Sequence, residues 1–561
     1  MYNMVEVLKT KERRFSSRKI SVMNKKARIL SLFLALVLSL GALASCSGDG
    51  GGNIQTGDRV NGSWDDVDFK GSELVVSLSA NNPEESNMGT SILYTKGPDK
   101  ASTDKVQQKA YERNRRVAEM LNISVNYKTT DDALKEAYDA IEKQMNNPTP
   151  PDVYSDDIYA LLRAMFQGYL KNVLDFGTNK DGTPVQNFFD FTYDGWYQDY
   201  MKGVTLDADK QYLLAGDYFI DLVRFAWVLF VNVDQFNEAF AKELDWKSYD
   251  EAAGRIDYNS DNWTYDDLIY LSGKAHMDTT NKGTTDVADE RIGLLLNRVS
   301  ERISLYTSGL SIVEWKGEGG ESVEQAKGTP VIVGRQGTDP ATKSLLSDVA
   351  TAYKALYRAE GVYNTGVTSG LNGNKEATDL FVNASAIFST MLLGEMESKA
   401  LREVSFNRGV LPFPKYDTDQ ESFHTLVHDT AEIGCVLINA KSPTMASAFM
   451  QAINEDSKDV LHEYYENSLK VKYNTAGEES ESGVRLMIDL VYESIDSPFE
   501  SLIVNYFCLN IDNEQYGYSV YTYMRHDARD NTTNFSAKYD EAVNALQTEL
   551  DKLVETFNNL K

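Results

Sequence analysis

Glu73–Ala80, ELVVSLSA, is the stretch on which the fold reading turns. It is a short apolar run closed by the polar Asn81-Asn82-Pro83, the pattern of a strand followed by a turn. From Asp104 to Leu121 the residues Val106, Ala110, Val117, Met120 and Leu121 recur on one helical face. Ile123–Tyr127 alternates as a second strand. Asp131–Met145 returns to helical spacing, and Asn146–Pro151 breaks it. Asp152–Tyr154 is a third strand, ending in Ser155-Asp156-Asp157, and Ile158–Leu170 is helical again. Strand and helix alternating three times is the pattern of a parallel sheet covered by helices, so the chain is predicted to be α/β.

The same pattern continues downstream. Leu222–Val233, LVRFAWVLFVNV, holds the apolar run Phe225–Val231, too short to span a bilayer and suited to a strand buried on both faces. A helix follows from about Asp234. Thr264 reads as the N-cap of another, with Asp267 as the reciprocal partner of a capping box. Leu345–Leu356 and Ala377–Phe381 are helical, and Gly409–Phe413 and Ile433–Asn439 are strands. Ser442–Ile453 is helical with Pro443 in its first turn, and Ser536–Leu560 is a long amphipathic terminal helix.

The chain has 561 residues and a net charge of −28. Residues 1–45 carry nine Lys or Arg and two Glu, so residues 46–561 carry about −35. Such a surface repels phosphate backbones and excludes nucleic acid as a partner. A hydrophobic content of 42% is too high for global disorder, and the length implies more than one domain.

Ile29–Ala44 is an apolar run of 16 residues, preceded by Lys25, Lys26 and Arg28. A spanning helix wants about 20, whereas a secretory signal is shorter, has a basic flank and ends at small residues. Leu43-Ala44-Ser45-Cys46 resembles the lipobox of bacterial lipoproteins. The resemblance implies that 1–45 is a cleaved signal and that Cys46 is lipidated as the new N-terminus. It places the rest of the chain at the extracytoplasmic face of the membrane, attached by the lipid alone. Met23 opens a complete signal of its own, which makes it an alternative start. Residues 46–63, rich in Gly, Ser, Asn and Asp, read as a flexible tether. Cys435 and Cys508 lie in apolar runs and read as buried small residues, with one disulfide as the alternative.

Six segments, in order, resemble the carbohydrate-type family 1 extracellular solute-binding proteins of ABC importers. They are Pro151–Tyr154 with Gly168-Tyr169-Leu170; Gln211–Asp217 (QYLLAGD); Phe230–Phe236 (FVNVDQF), where Val233 replaces a usual Lys; Trp263–Asp267 (WTYDD), with the aromatic displaced; Phe381–Met391 followed by Gly409–Pro414 (GVLPFP), where Ala384 replaces a Gly; and Ala440–Met450 (AKSPTMASAFM). The resemblance implies a two-lobe, periplasmic-binding-protein-like fold of type II with a hinge. Lobe one is expected at 64–223 plus 430–495 and lobe two at 224–429 plus 496–561. It implies a monomer that takes an oligosaccharide to an ABC permease, without cofactor or metal and without catalysis. A glycan-active surface enzyme and a sensor component are the alternatives.

Open α/β sheets bind ligands at the carboxyl ends of their strands. That rule selects Asn81 and Asn82 after the first strand and Asp156 and Asp157 after the third, with a plain turn and a helix cap as the structural alternatives. Trp196, in a polar segment, is a candidate stacking platform or a packing residue. Asp217, Tyr218 and Arg224 flank the expected crossing into lobe two. Glu395 lies where the family places contacts from lobe two, and Asp429, beside His428, lies near the return crossing. No G-x-S-x-G, H-E-x-x-H or P-loop motif is present.

Overall fold

In the computed structural model of the chain, which describes residues 56–59, 62–79, 88–130, 135–240, 249–250, 255–256, 263–277, 290–366, 373–470, 491, 494–496, 520–530 and 533–560, the strand expected at Glu73–Ala80 is β1, Ser72–Ser79. Cys46, Asn81, Asn82 and Cys508 lie outside the described residues. α1, Lys105–Leu121, starts where Asp104 accepts a hydrogen bond from the Gln107 N–H at 3.0 Å. Its buried stripe is Val106, Ala110, Arg113, Val117 and Leu121, whereas Met120 is 41% exposed. The helical period carries the stripe through 113 and 117 to 121, so Met120 falls off it. Arg113 takes an inner position because its guanidinium donates to the carbonyls of Tyr94 and Thr95 and to Ser457 Oγ.

β2, Ile123–Thr130, α2, Lys135–Gln144, β3, Val153–Asp157, and α3, Ile158–Phe166, follow as expected. α3 stops four residues short of Leu170. Gly168 sits at φ +73°, its N–H donates to Met165 O at 2.8 Å, and Tyr169 N–H donates to Ala164 O at 3.0 Å. This is the Schellman arrangement, which a glycine in the left-handed region makes inexpensive.

Two five-stranded sheets organise the chain. Sheet A has the order β2-β1-β3-β13-β4, with β4 at Leu213–Leu214 and β13 at Glu432–Cys435. Sheet B has the order β9-β6-β10-β5-β11. Its strands are β5, Trp227–Asn232, β6, Ile292–Asn297, β9, Val362–Thr365, β10, Ala386–Leu392, and β11, Arg408–Leu411. β7, Val313–Lys316, and β8, Thr329–Ile332, form a separate hairpin. β12, Thr425–Leu426, pairs in parallel with β14, Ile495–Asp496.

Each sheet has three neighbouring parallel strands, then one reversed strand, then an edge strand antiparallel to the reversed one. The reversed strands are β5 and β13, the two that the chain enters directly from the other sheet. It leaves β4 of sheet A through 215–226 into β5, and leaves β11 of sheet B through 412–431 into β13. A chain entering at the junction runs away from it, whereas β3 and β10 run toward it. Register fixes the geometry: Leu392 at the end of β10 faces Trp227 at the start of β5, and Asp157 at the end of β3 faces Glu432 at the start of β13. The carboxyl ends of the parallel strands of both sheets therefore point at the junction. Alongside the two passages lies a third segment, where Thr425 N–H donates to Ser494 O at 2.7 Å.

The apolar run of β5 has its expected explanation. Trp227, Leu229 and Val231 pack into one apolar cluster and Val228 and Phe230 into another, one on each sheet face. Burial of each such side chain contributes about 1.5–3 kcal/mol. The strand starts later than the run, because 221–224 closes one helical turn first, with Phe225 N–H on Asp221 O at 2.8 Å. The remaining helices used below are α4, Val233–Phe240, α5, Tyr265–Ala275, α6, Ser300–Thr307, α7, Pro340–Tyr357, α8, Gly373–Val382, α9, Pro443–Glu455, α10, Val520–Asp530, and α11, Phe535–Asn558. α5 begins with the predicted reciprocal cap, Asp267 accepting from the Thr264 N–H at 2.9 Å. Cys435 is a buried free thiol in β13. No described helix is long and apolar enough to cross a membrane.

Candidate functional site

The junction of the two sheets gathers a charged and aromatic cluster. Asp157 caps α3, its Oδ1 accepting from the Ala160 N–H at 2.7 Å. Sheet B contributes Arg302, in the first turn of α6 just beyond β6, and the indole of Trp227. The return passage contributes His428 and Asp429. Arg302 Nη1 lies 3.1 Å from Asp429 Oδ2, and His428 Nδ1 lies 3.0 Å from Asp429 Oδ1. Trp227 lies against the His428 ring at a centroid distance of 5.6 Å, and the Arg302 guanidinium lies 5.9 Å over Tyr521 of α10. Tyr200 is buried close to Asp429, and its hydroxyl has no hydrogen-bond partner among the described residues.

The two carboxylates sit in contrasting fields. Burial alone would raise Asp429; His428 and Arg302 outweigh it and hold the group at about 2. Burial also raises Asp157, the Ala160 N–H pulls it down, the Asp429 charge pushes it up again, and the balance is about 7. The result is a partly buried polar cluster fed by both sheets, with the Asp429 carboxyl held low and the Asp157 carboxyl raised.

Beside it lies a second buried network that ties the passages together. Arg224 is fully buried and pairs with Asp221 at 2.5 Å and Glu397 at 2.9 Å, and it also donates to Gly89 O. Tyr94 and Tyr464 donate to Glu397. Glu432 accepts from the Ser79 N–H at 3.0 Å, from Ser91 Oγ at 2.9 Å and from Ser155 Oγ. Burial raises Glu432 to about 8, helped by the nearby Asp221 charge, and burial likewise raises Asp221 against the pull of Arg224. Glu397 follows β10 of sheet B, whereas Gly89, Ser91 and Tyr94 follow β1 of sheet A, so the network spans both halves.

The sequence-selected residues divide between these places. Asp157 and Asp429 meet at the junction cluster. Arg224 is in the second network, and Glu395, in the 3-10 turn Leu393–Glu397, lies beside it. There Gly394 packs so closely that a Cβ would stand 3.0 Å from Arg224 O. Asp156 is turned inward, accepting from Tyr154 OH at 3.1 Å and from the Asp157 N–H at 2.9 Å. Tyr218 is buried beneath Arg113, 4.8 Å from its ring centroid, and Asp217 is buried beside Gly195. Trp196 is 2% exposed, donates to Gln451 Oε1 at 3.0 Å and packs on Phe189 and Phe191, the placement of a packing residue.

Arg302, Trp227 and Tyr200 were not selected from the sequence. Arg302 follows the carboxyl end of a parallel strand, so the rule that picked Asp157 would have found it had Ile292–Asn297 been recognised as a strand. Trp227 was visible only as part of an apolar run, and nothing local marks Tyr200. Among the described residues no group of three or more His, Cys, Asp or Glu is arranged to hold a metal ion.

No family model and no curated protein matches the chain. Solved structures do. The GacH receptor of Streptomyces glaucescens GLA.O, described unliganded and with acarbose, is 13% identical, with 88% of this chain and 100% of that chain covered and a TM-score of 0.43. A family 1 extracellular solute-binding protein from Bifidobacterium longum subsp. infantis is 12% identical over 86% of this chain and 99% of that chain, TM-score 0.47. The galacto-N-biose/lacto-N-biose I-binding protein of an ABC transporter from Bifidobacterium longum, in complex with lacto-N-biose, is 11% identical over 86% and 98%, TM-score 0.49. None of them assigns a residue or a ligand in this chain.

Proposed function

We propose that this chain is a lipid-anchored, extracytoplasmic binding protein that captures a carbohydrate, an oligosaccharide, between two lobes and delivers it to the permease of an ABC importer. Lobe one is 64–223 plus 430–495 and lobe two is 224–429 plus 496–561, with Cys46 as the lipidated end of a tether. The observation that carries the reading is the meeting of Asp157 from sheet A, Arg302 from sheet B and Asp429 from the return passage, 3.1 Å separating the latter two groups. Charged planar groups pair with adjacent hydroxyls, and Trp227, Tyr200 and Tyr521, buried in the present arrangement, would offer flat apolar faces to the C–H surfaces of sugar rings only once the passages open. A ligand that touches both halves stabilises one hinge angle, and opening at the passages exposes these groups to incoming solute.

Asp429 Oδ2 is engaged by Arg302 and its Oδ1 lies 3.0 Å from His428 Nδ1, which leaves the carboxylate poorly suited as a nucleophile or base and favours binding over hydrolysis. A thermal-shift screen against neutral, N-acetylated and acidic oligosaccharides tests the proposal. A ligand at 100 times its Kd stabilises the folded state by about 2.7 kcal/mol, a readily measured rise in Tm. A shift with peptides or simple anions and with no glycan would overturn the ligand class. Turnover of a bound glycan, lost in Asp157→Asn, would replace binding by catalysis.

A further inference from the structure

Apart from the segments and the buried network at the junction, the described residues join the two halves at a separate place. α11 is 24 residues long, about 36 Å, and its two ends lie on different halves. Its body belongs with sheet B. The Phe535 N–H donates to Asp527 of α10 at 2.9 Å, and Tyr539 OH donates to Val333 O at 2.9 Å. Gln547 accepts from the Ile332 N–H at 2.8 Å and donates to Pro330 O at 3.1 Å, which fastens the hairpin β7–β8 to the helix.

The last turn belongs with sheet A. Phe557 is fully buried, edge-on to Phe166 of α3 at 6.3 Å and to Tyr212, next to β4, at 5.7 Å. Lys210 Nζ donates to Asn558 O at 2.8 Å and to Leu560 O at 2.9 Å. These carbonyls have no partner inside the helix, and a cation is favoured at that end of its dipole. The hairpin reaches the same strip. Ala208 N–H donates to Ala326 O at 3.2 Å, and Gln325 Nε2 donates to Lys202 O at 2.8 Å. Ala326 stands at φ +63°, a conformation non-glycine residues seldom adopt.

We propose that α11 and the β7–β8 hairpin form a strap that sets the angle between the two halves, with the dock of the Phe557 turn on Lys210, Tyr212 and Phe166 as its releasable end. The segments at the junction allow bending; the strap bridges the halves at a separate place and resists it. Any change of hinge angle must slide or release this dock, so its strength fixes how much of the population stands in the present arrangement before ligand arrives. The inference is independent of what the junction binds.

The test is a distance measurement by double electron–electron resonance on ligand-free protein. Labels go at Glu119→Cys on α1 and Lys375→Cys on α8, both on solvent-exposed side chains over opposite sheets, with Cys46 and Cys508 replaced by Ser. The native strap gives one narrow distance distribution. Lys210→Ala and Phe557→Ala shift its mean by several ångströms and broaden it, while Lys552→Ala, on the exposed face of the same helix, leaves it unchanged. Lys210→Ala removes only the cap, so it decides the matter if Phe557→Ala fails to fold. A native distribution in Lys210→Ala, or in a folded Phe557→Ala, overturns the proposal.

Discussion

Replacing Arg224 by Met removes the cation from a site that holds Asp221 at 2.5 Å and Glu397 at 2.9 Å, with Glu432 close by. The guanidinium is fully buried, so water cannot take its place. Breaking a buried ion pair by deleting one partner costs about 3–5 kcal/mol, because the other charge is left without compensation. Two carboxylates lose their partner here, which puts the loss at the upper end, moderated where Asp221 takes up a proton. With a urea m-value of about 3 kcal/mol/M or more for a chain of this size, the unfolding midpoint falls by at most about 1–1.7 M. Urea titration followed by far-UV circular dichroism reads this directly. The triple variant Arg224→Met, Asp221→Asn, Glu397→Gln should recover most of the loss, since it leaves no uncompensated charge. A single variant within about 0.5 kcal/mol of the parent, the size of an ordinary surface substitution, would show that the network does not hold the junction together.

Other consequences stem from the same geometry. Glu432 is held near 8, above its unfolded value, so the folded state keeps a proton that the unfolded state releases. Stability is then fully present below about pH 4.5 and falls as pH rises to about 8. Asp157, near 7, adds a slope of the same sign, so Glu432→Gln should flatten the fall between pH 5 and 8 without abolishing it, as read by melting temperature against pH. Asp429→Asn removes the charge that presses on Asp157, so the Asp157 carboxyl should titrate lower, a change visible by carbon-13 NMR of labelled aspartate; an unmoved value would mean that burial alone raises it. Gly434→Ala would place a Cβ 2.5 Å from the Phe219 ring, inside a buried strand, and should cost about 1–3 kcal/mol in the same urea titration.

The α/β alternation was legible because its signals are local. Apolar periodicity marked α1 and β2, a proline and asparagine break marked the end of α2, and the Thr264–Asp267 cap marked the start of α5. The errors were local too. Apolar periodicity places Met120 on the inner face of α1 and passes over Arg113; the arginine is inside only because carbonyls from the Tyr94–Thr95 turn receive it. The amphipathic pattern of α3 continues past Gly168, where the backbone turns left-handed and the helix has already ended. Strand order, and with it the reversal of β5 and β13, depends on pairings between segments far apart in sequence, which no local window contains. For the junction cluster, the carboxyl-end rule selects Asp157, and the expected return crossing selects Asp429. Arg302 and Tyr200 join them only through the folding of two sheets against one another, and the same contact turned Arg224 inward as a structural cation.

In the proposed function one carbohydrate contacts both halves at the junction. Hydrogen–deuterium exchange with and without a saturating glycan from the thermal-shift screen tests it most directly. Bound glycan should slow exchange together in 155–160 of sheet A, 298–303 beyond β6 and 425–431 in the return passage, and Arg302→Ala should lose that protection along with the Tm shift. Protection confined to one half, or appearing away from all three segments, would rule out a ligand held by both halves at the junction.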